Sequence, residues 1–235
     1  MSQPIKFSSL LLLLSSSAAF AGTTSVDRVY DPYVQPLERE IEFRNVLEHD
    51  PFGGNDVWKT RFGYGQSLSE RLFLEFYVVG EKEQGEAIEE DSYEIELKWQ
   101  LTEQGEYSSD WGLLFEFEDE LGQDVLEAAV TLIGLKEYNR FIFTGNLSAI
   151  IEWGGDINDE FETAFAGQSR YRLSQSFEPG LELYQSETTS AFGPVFSGVV
   201  KLGGRKRLTW ETGILFPLDD ETANQTYKIN FDFEF

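Results

Sequence analysis

The chain lacks cysteine altogether and carries a single histidine, His49. Without cysteine there is no disulfide framework, no thiolate metal site and no covalent haem attachment. One histidine is poor material for a first-row metal centre, which draws on several His or Cys ligands. Basic residues are also scarce: Lys and Arg number 18 against 42 Asp and Glu, a formal net charge of −24. Nucleic acid is thereby excluded as a partner, because phosphate recognition needs a basic footprint. Long apolar runs are missing as well. The longest unbroken leucine run, Leu10–Leu14, falls far short of the ~20 residues of a membrane-spanning helix.

Aromatic residues, in contrast, are plentiful: 20 Phe, 10 Tyr and 5 Trp, or 15% of the chain. High acidity alone would suit a disordered chain, but so many rings need apolar surroundings. A mean hydropathy of −0.32 is too polar for a bundle of membrane helices. Strands with one apolar and one polar face reconcile the two facts.

The N-terminus reads as a secretory signal over residues 1–21. Lys6 supplies the positive charge, Phe7–Leu14 the apolar stretch, and Ala19-Phe20-Ala21 a small-x-small cleavage site. Residues 22–37, polar and bearing Pro32 and Pro36, are expected to form a periplasmic tail. Residues 38–235 make up one all-β domain.

From Glu38 onward the dominant signal is alternation with a period of two. In one segment Tyr93, Ile95, Leu97 and Trp99 share a face, with Glu94, Glu96 and Lys98 on the other. Trp111, Leu113, Phe115 and Phe117 oppose Glu116 and Glu118 in the same way. Such segments are about ten residues long, the span of a tilted strand across a bilayer. The pattern predicts a transmembrane antiparallel up-and-down β-barrel of about twelve strands, between Glu38–Leu47 and Asn224–Phe235, with ten or fourteen as alternatives. Two segments fit poorly. Asn45 falls on the apolar side of the first strand, and Val125–Glu137 is apolar on both faces.

Tryptophan placement separates a membrane barrel from a soluble one. Trp58 and Trp153 fall at the outer ends of predicted strands, and Trp99, Trp111 and Trp210 at the periplasmic ends. Indole favours the interface because its ring is apolar and its N–H wants a partner. Two such girdles are what a bilayer imposes.

The chain ends with Tyr227, Ile229, Phe231, Phe233 and Phe235 on one face, alternating with polar residues. This ending resembles the assembly signal of Gram-negative outer-membrane β-barrels. The chain as a whole looks like the small porin-like barrels and transporters of that superfamily. The resemblance implies export to the periplasm, insertion into the outer membrane by the barrel-assembly machinery, and contact with membrane lipid and lipopolysaccharide. It names no subfamily and no solute.

The predicted lumen mixes both charges. Glu42, Glu75, Glu94, Glu96, Glu116, Glu118, Glu162 and Glu182 supply acid, and Lys59, Arg61, Arg71, Lys98, Arg170 and Arg172 supply base. So many carboxylates are hard to pair in a dry interior. The reading that follows is a passive channel for small solutes, cation-preferring because acid is in excess. The alternative is a closed structural or adhesive barrel whose Arg and Glu pair across the lumen. A lesser alternative is a membrane-embedded lipid hydrolase built on His49, but a triad needs a Ser and an acid to converge on it. Acidic outer connections, at Glu81–Glu90, Gly154–Asp159 and Pro217–Ala223, suggest weak Ca²⁺ or Mg²⁺ binding through hard oxygen ligands, beside the plainer reading of solvated charge. No cofactor is expected.

Overall fold

A computed structural model describes residues 26–49, 56–83, 87–220 and 222–235. The predicted signal segment 1–21, and Glu86 and Glu221 of the acidic connections, lie outside the described residues. Twelve strands follow one another: β1 (Arg39–His49), β2 (Val57–Ser67), β3 (Leu72–Glu83), β4 (Glu89–Gln100), β5 (Asp110–Glu120), β6 (Val125–Tyr138), β7 (Phe141–Gly154), β8 (Glu160–Tyr171), β9 (Glu178–Gln185), β10 (Ser190–Gly203), β11 (Lys206–Pro217) and β12 (Gln225–Glu234). Each pairs antiparallel with its neighbours in sequence, and β1 pairs with β12 to close the barrel. Closure removes every sheet edge, which is the condition for strands to cross a bilayer.

We call the end bearing Arg39 and Glu234 proximal and the opposite end distal. Two proximal turns are tight. Asn139 (φ 56°) turns β6 into β7, and Gly203 and Gly204 (φ 100° and 62°) turn β10 into β11. The proximal connection over residues 101–109 is longer.

Alternation sorts the side chains cleanly. On β12, Tyr227, Ile229 and Phe231 face outward while Lys228, Asn230 and Asp232 are buried inside. The outward face is an apolar band, with Phe62, Phe76, Leu147 and Phe161 each at least half exposed. A water-soluble barrel would not present such a surface. Asn45 faces this band, and its placement now has a reason. Its Oδ1 accepts from Trp58 Nε1 at 2.9 Å and from Thr60 Oγ1 at 2.8 Å, so the amide oxygen is satisfied locally.

Of the expected periplasmic tail, residues 22–25 lie outside the described residues and the part from Val26 to Val34 lies inside the barrel. Residues 26–34 enter the barrel at the proximal end and run up its lumen. Val26 and Val29 are buried against Tyr184, Ala191 and Leu215 on the inner wall, and Tyr30 packs against Leu114 and Ile133. The physical reason is width. Side chains fill the lumen of an eight-stranded barrel, but twelve strands leave a wider space. The inner wall offers apolar patches that water would wet at a cost, and each valine so buried contributes about 1.5 kcal/mol or more. The two apolar faces of β6 are explained in the same way. Val130 and Leu132 face outward, while Ile133 faces the inserted segment.

Candidate functional site

The lumen and the segment inside it form the candidate site. The segment reverses direction at residues 36–37, where Leu37 takes φ 64°, and so passes from the lumen into the barrel wall. Side chains hold it in place. Asn146 of β7 clamps Tyr30 from both sides: its Oδ1 accepts the Tyr30 N–H at 2.7 Å and its Nδ2 donates to the Tyr30 carbonyl at 2.9 Å. Gln100 accepts the Val34 N–H at 2.8 Å. Tyr33 donates to Asp110 at 2.7 Å; burial and this bond raise the Tyr33 phenol well above its ordinary range.

Arg44 of β1 is the centre of the network. Its Nε and Nη2 form a fork on Glu42 at 2.7 and 2.9 Å. Its Nη1 donates to Asp27 Oδ2 at 2.8 Å and to Tyr30 Oη at 2.7 Å, and Nη2 donates to Tyr77 Oη at 2.7 Å. Tyr30 in turn donates to Glu96 Oε1 at 2.6 Å. The guanidinium also lies over the rings of Tyr30 and Tyr77, 5.2 and 4.7 Å from their centroids. Such stacking suits arginine because its planar charge is weakly hydrated. Gly63 makes room for this arrangement: a Cβ there would sit 2.3 Å from the Tyr77 ring.

A second cluster lies deeper. Lys228 of β12 meets Glu182 at 2.7 Å and Glu211 at 2.8 Å, and also donates to the Asp27 carbonyl at 3.2 Å. Arg28 of the segment bridges Glu42 at 2.6 Å and Asp232 at 3.2 Å. Buried ions of this kind are tolerated only when paired and fully hydrogen-bonded.

Two cavities remain in the lumen. One of about 250 Å³ lies toward the proximal end, lined by Tyr33, Glu137, Arg170, Arg172 and Glu178 among others. Another of about 140 Å³ lies toward the distal end, lined by Arg61, Glu94, Glu116, Glu118, Glu127 and Glu162 among others. The inserted segment contributes to the wall of both, through Asp31 and Tyr33 in the first and Asp27, Arg28 and Tyr30 in the second.

Most sequence-predicted lumen residues do face inward. Glu42, Lys59, Arg61, Glu75, Glu94, Glu96, Glu118 and Glu182 are buried inside. Glu116, Glu162 and Arg170 line cavities, and Lys98 lies 5.5 Å from the centroid of the buried Phe73 ring. Arg71 is a correction. It precedes β3, is half exposed at the proximal rim, and pairs with Glu103 at 2.6 Å rather than lining the lumen. Arg172 follows β8 at the mouth of the proximal cavity and forms a two-bond fork on Glu137. That fork holds the guanidinium above its ordinary range.

Of the predicted girdle residues, Trp58 and Trp153 stand at distal strand ends and Trp99 and Trp111 at proximal ones, while Trp210 lies further in, in the proximal half of β11. Tyr227, Phe231, Phe233 and Phe235 share the outward face of the last strand and the residue after it, and the Phe233 and Phe235 rings stack at 5.7 Å. His49 ends β1 at the distal rim, half exposed, with Asp56 Oδ1 2.5 Å from its Nδ1. Of the acidic connections, Glu81 and Asp91 approach Lys59 at 3.9 and 3.5 Å, and Asp219 caps Thr222.

Sequence reading missed the segment's own Asp27, Arg28 and Tyr30, and the weight carried by Arg44 and Lys228. One signal pointed to them: Leu114, Ile133, Ala191 and Leu215 are apolar at lumen positions, where an open channel has no use for them.

No family model and no curated protein matches this chain. Solved structures do. A Pseudomonas putida F1 outer membrane channel has a TM-score of 0.58 at 10% identity, over 89% of this chain and 98% of that one. The translocator domain of the autotransporter NalP from Neisseria meningitidis has a TM-score of 0.55 at 12% identity, over 87% and 90%. The KdgM porin in complex with disordered oligogalacturonate has a TM-score of 0.54 at 11% identity, over 83% and 98%. The fold is that of the outer-membrane β-barrels. These structural neighbours are channels, porins and translocators.

Proposed function

We propose that the protein is a porin-like channel of the outer membrane for small hydrophilic solutes, cation-preferring, and held shut at rest by its own N-terminal segment. One observation carries this reading. The segment that separates the two cavities is fixed by side chains such as Asn146, Gln100 and Arg44, and is not a strand of the sheet. It can leave without breaking a ladder hydrogen bond. The lumen wall it would uncover is charged and rich in carboxylates, which favours cations. Proximal is periplasmic in this reading. Residues 1–21 direct export, the face from Tyr227 to Phe235 is read by the assembly machinery, and lipid and lipopolysaccharide surround the outward band and its tryptophan ends.

A second reading is a permanently closed structural barrel. The density of bonds around Arg44 favours it. Single-channel recording of the refolded mature chain, beside a chain lacking residues 26–34, separates the two. The channel reading expects rare openings from the intact chain. It expects frequent, larger steps from the shortened one, with a cation-selective reversal potential under a salt gradient. Silence from both, in protein shown to be folded, overturns it.

A further inference from the structure

We infer that Glu94, Glu96 and Glu116 form a Ca²⁺-binding site inside the lumen, beside the inserted segment. The inference deepens the channel reading by naming an ion and its seat, and rests on that reading only in taking the lumen to be reachable by water.

Carboxylate oxygens from the three residues lie within 4.8 Å of one another. Oxygens ligating one Ca²⁺ at about 2.3–2.6 Å are no more than about 5 Å apart, so the spacing of the cluster matches the shell of one ion. Proximity of acids would not suffice alone. The second observation is Glu96. It is fully buried, its Oε1 is taken by Tyr30 and Arg44, and its Oε2 has no hydrogen-bond partner. An unsatisfied buried group costs more when it is charged than when it is neutral. A cation supplies what the protein does not.

Charge balance points the same way. The adjoining cavity of about 140 Å³ is lined by six carboxyl-bearing residues but, among basic ones, only by Arg28 and Arg61. Its volume accommodates several waters at about 30 Å³ each, enough to complete the shell of an ion that takes six to eight oxygen ligands. The neighbours are already committed. Glu94 Oε2 accepts from Arg61 at 3.0 Å and Glu116 Oε2 from Thr131 at 3.3 Å, leaving one oxygen on each carboxylate outside these bonds. Ca²⁺ suits the site better than Mg²⁺, which demands near-ideal octahedral geometry and gives up its own water reluctantly.

The test is calorimetric titration of CaCl₂ into the refolded chain in detergent, at constant KCl. One saturable site with a sub-millimolar Kd is expected. Affinity should fall at least tenfold in Glu96→Gln and in the double variant Glu94→Gln/Glu116→Gln. It should be unchanged in Glu89→Gln/Glu90→Gln at the distal rim. Heat-modifiable gel mobility verifies folding, and where the double variant fails to fold, Glu96→Gln decides alone. Absence of saturable binding overturns the site, as does full affinity in Glu96→Gln. A chain that conducts but takes no Ca²⁺ loses the site and keeps the channel. One that takes Ca²⁺ but stays silent keeps the site and loses the channel.

Discussion

Arg44 Nη1 donates to Asp27 Oδ2 across 2.8 Å, joining the barrel wall to the segment within it. Arg61 stands on the other oxygen of the same carboxylate at 3.6 Å. Asp27 is therefore the charged latch of the segment. Asp27→Asn keeps the shape and removes the charge, and a hydrogen bond to a charged group is worth about 1.5–3 kcal/mol. At one such bond the closed-to-open ratio falls by roughly tenfold or more (about 1.4 kcal/mol per factor of ten). The expected outcome is a rise of that order in open probability, read in a planar bilayer. Unchanged gating would mean that the charge does not hold the segment.

Lys228 is fully buried between Glu182 and Glu211. Lys228→Met leaves two carboxylates facing each other without a cation, a loss expected to cost about 3–5 kcal/mol. Heat-modifiability gels should show a lower unfolding temperature. Adding Glu182→Gln to Lys228→Met should recover part of the loss, since one of the stranded charges is then gone. Equal loss in single and double variants would argue against the ion pair as the cause.

At Gly63 an added methyl group meets the Tyr77 ring at 2.3 Å. The ring cannot swing aside cheaply, because its hydroxyl lies 2.5 Å from Glu42 and 2.6 Å from Glu75 and accepts from Arg44. Gly63→Ala should destabilise the barrel by about 1–3 kcal/mol through overpacking, measured by urea unfolding in detergent. Gly145→Ala is the control. Its nearest neighbour, Phe165, would be 3.6 Å away, and no loss is expected there.

The proximal rim carries a pH-sensitive group. Burial, and Glu234 beside it, raise the Glu38 carboxyl to about 8, against the partial pull of Arg207. A carboxyl raised in the folded state binds its proton more tightly there than in the unfolded chain. Its contribution to stability is full below the ordinary Glu value of about 4.3 and is lost as pH rises through about 8. Glu38→Gln removes that dependence. Relative to the unaltered chain, the variant should gain stability between pH 5 and pH 8.5, as measured by thermal unfolding. A constant difference across that range would reject the assignment.

The outer face of this fold was legible because lipid reads a strand residue by residue. Alternation of the Tyr93–Trp99 kind and the tryptophans at strand ends fix strand number and facing with no knowledge of tertiary contacts. The inner face was only half legible. A charge at a lumen position, such as Glu94 or Arg61, has the same sequence signature whether it lines water or pairs with a neighbour. The segment of residues 26–34 was invisible for a different reason. It has no periodicity of its own, and its conformation is dictated by Arg44 and by Asn146 and Tyr184, the last two more than 100 residues away in the chain. Its shape is a tertiary fact. Arg71 was misplaced because turn residues at a strand boundary carry no facing.

The bond from Lys228 Nζ to the Asp27 carbonyl spans 201 residues of chain. The remaining anchors are spread around the barrel, on β1, β4, β5, β7 and β9 as well as β12. A docking surface so distributed does not exist on any hairpin, nor on any partly closed sheet. Eleven of the strand pairings join sequence neighbours, and only the seam between β1 and β12 is remote. The complete seat therefore exists only once that seam has formed, and the seated segment is a record that the ring has closed.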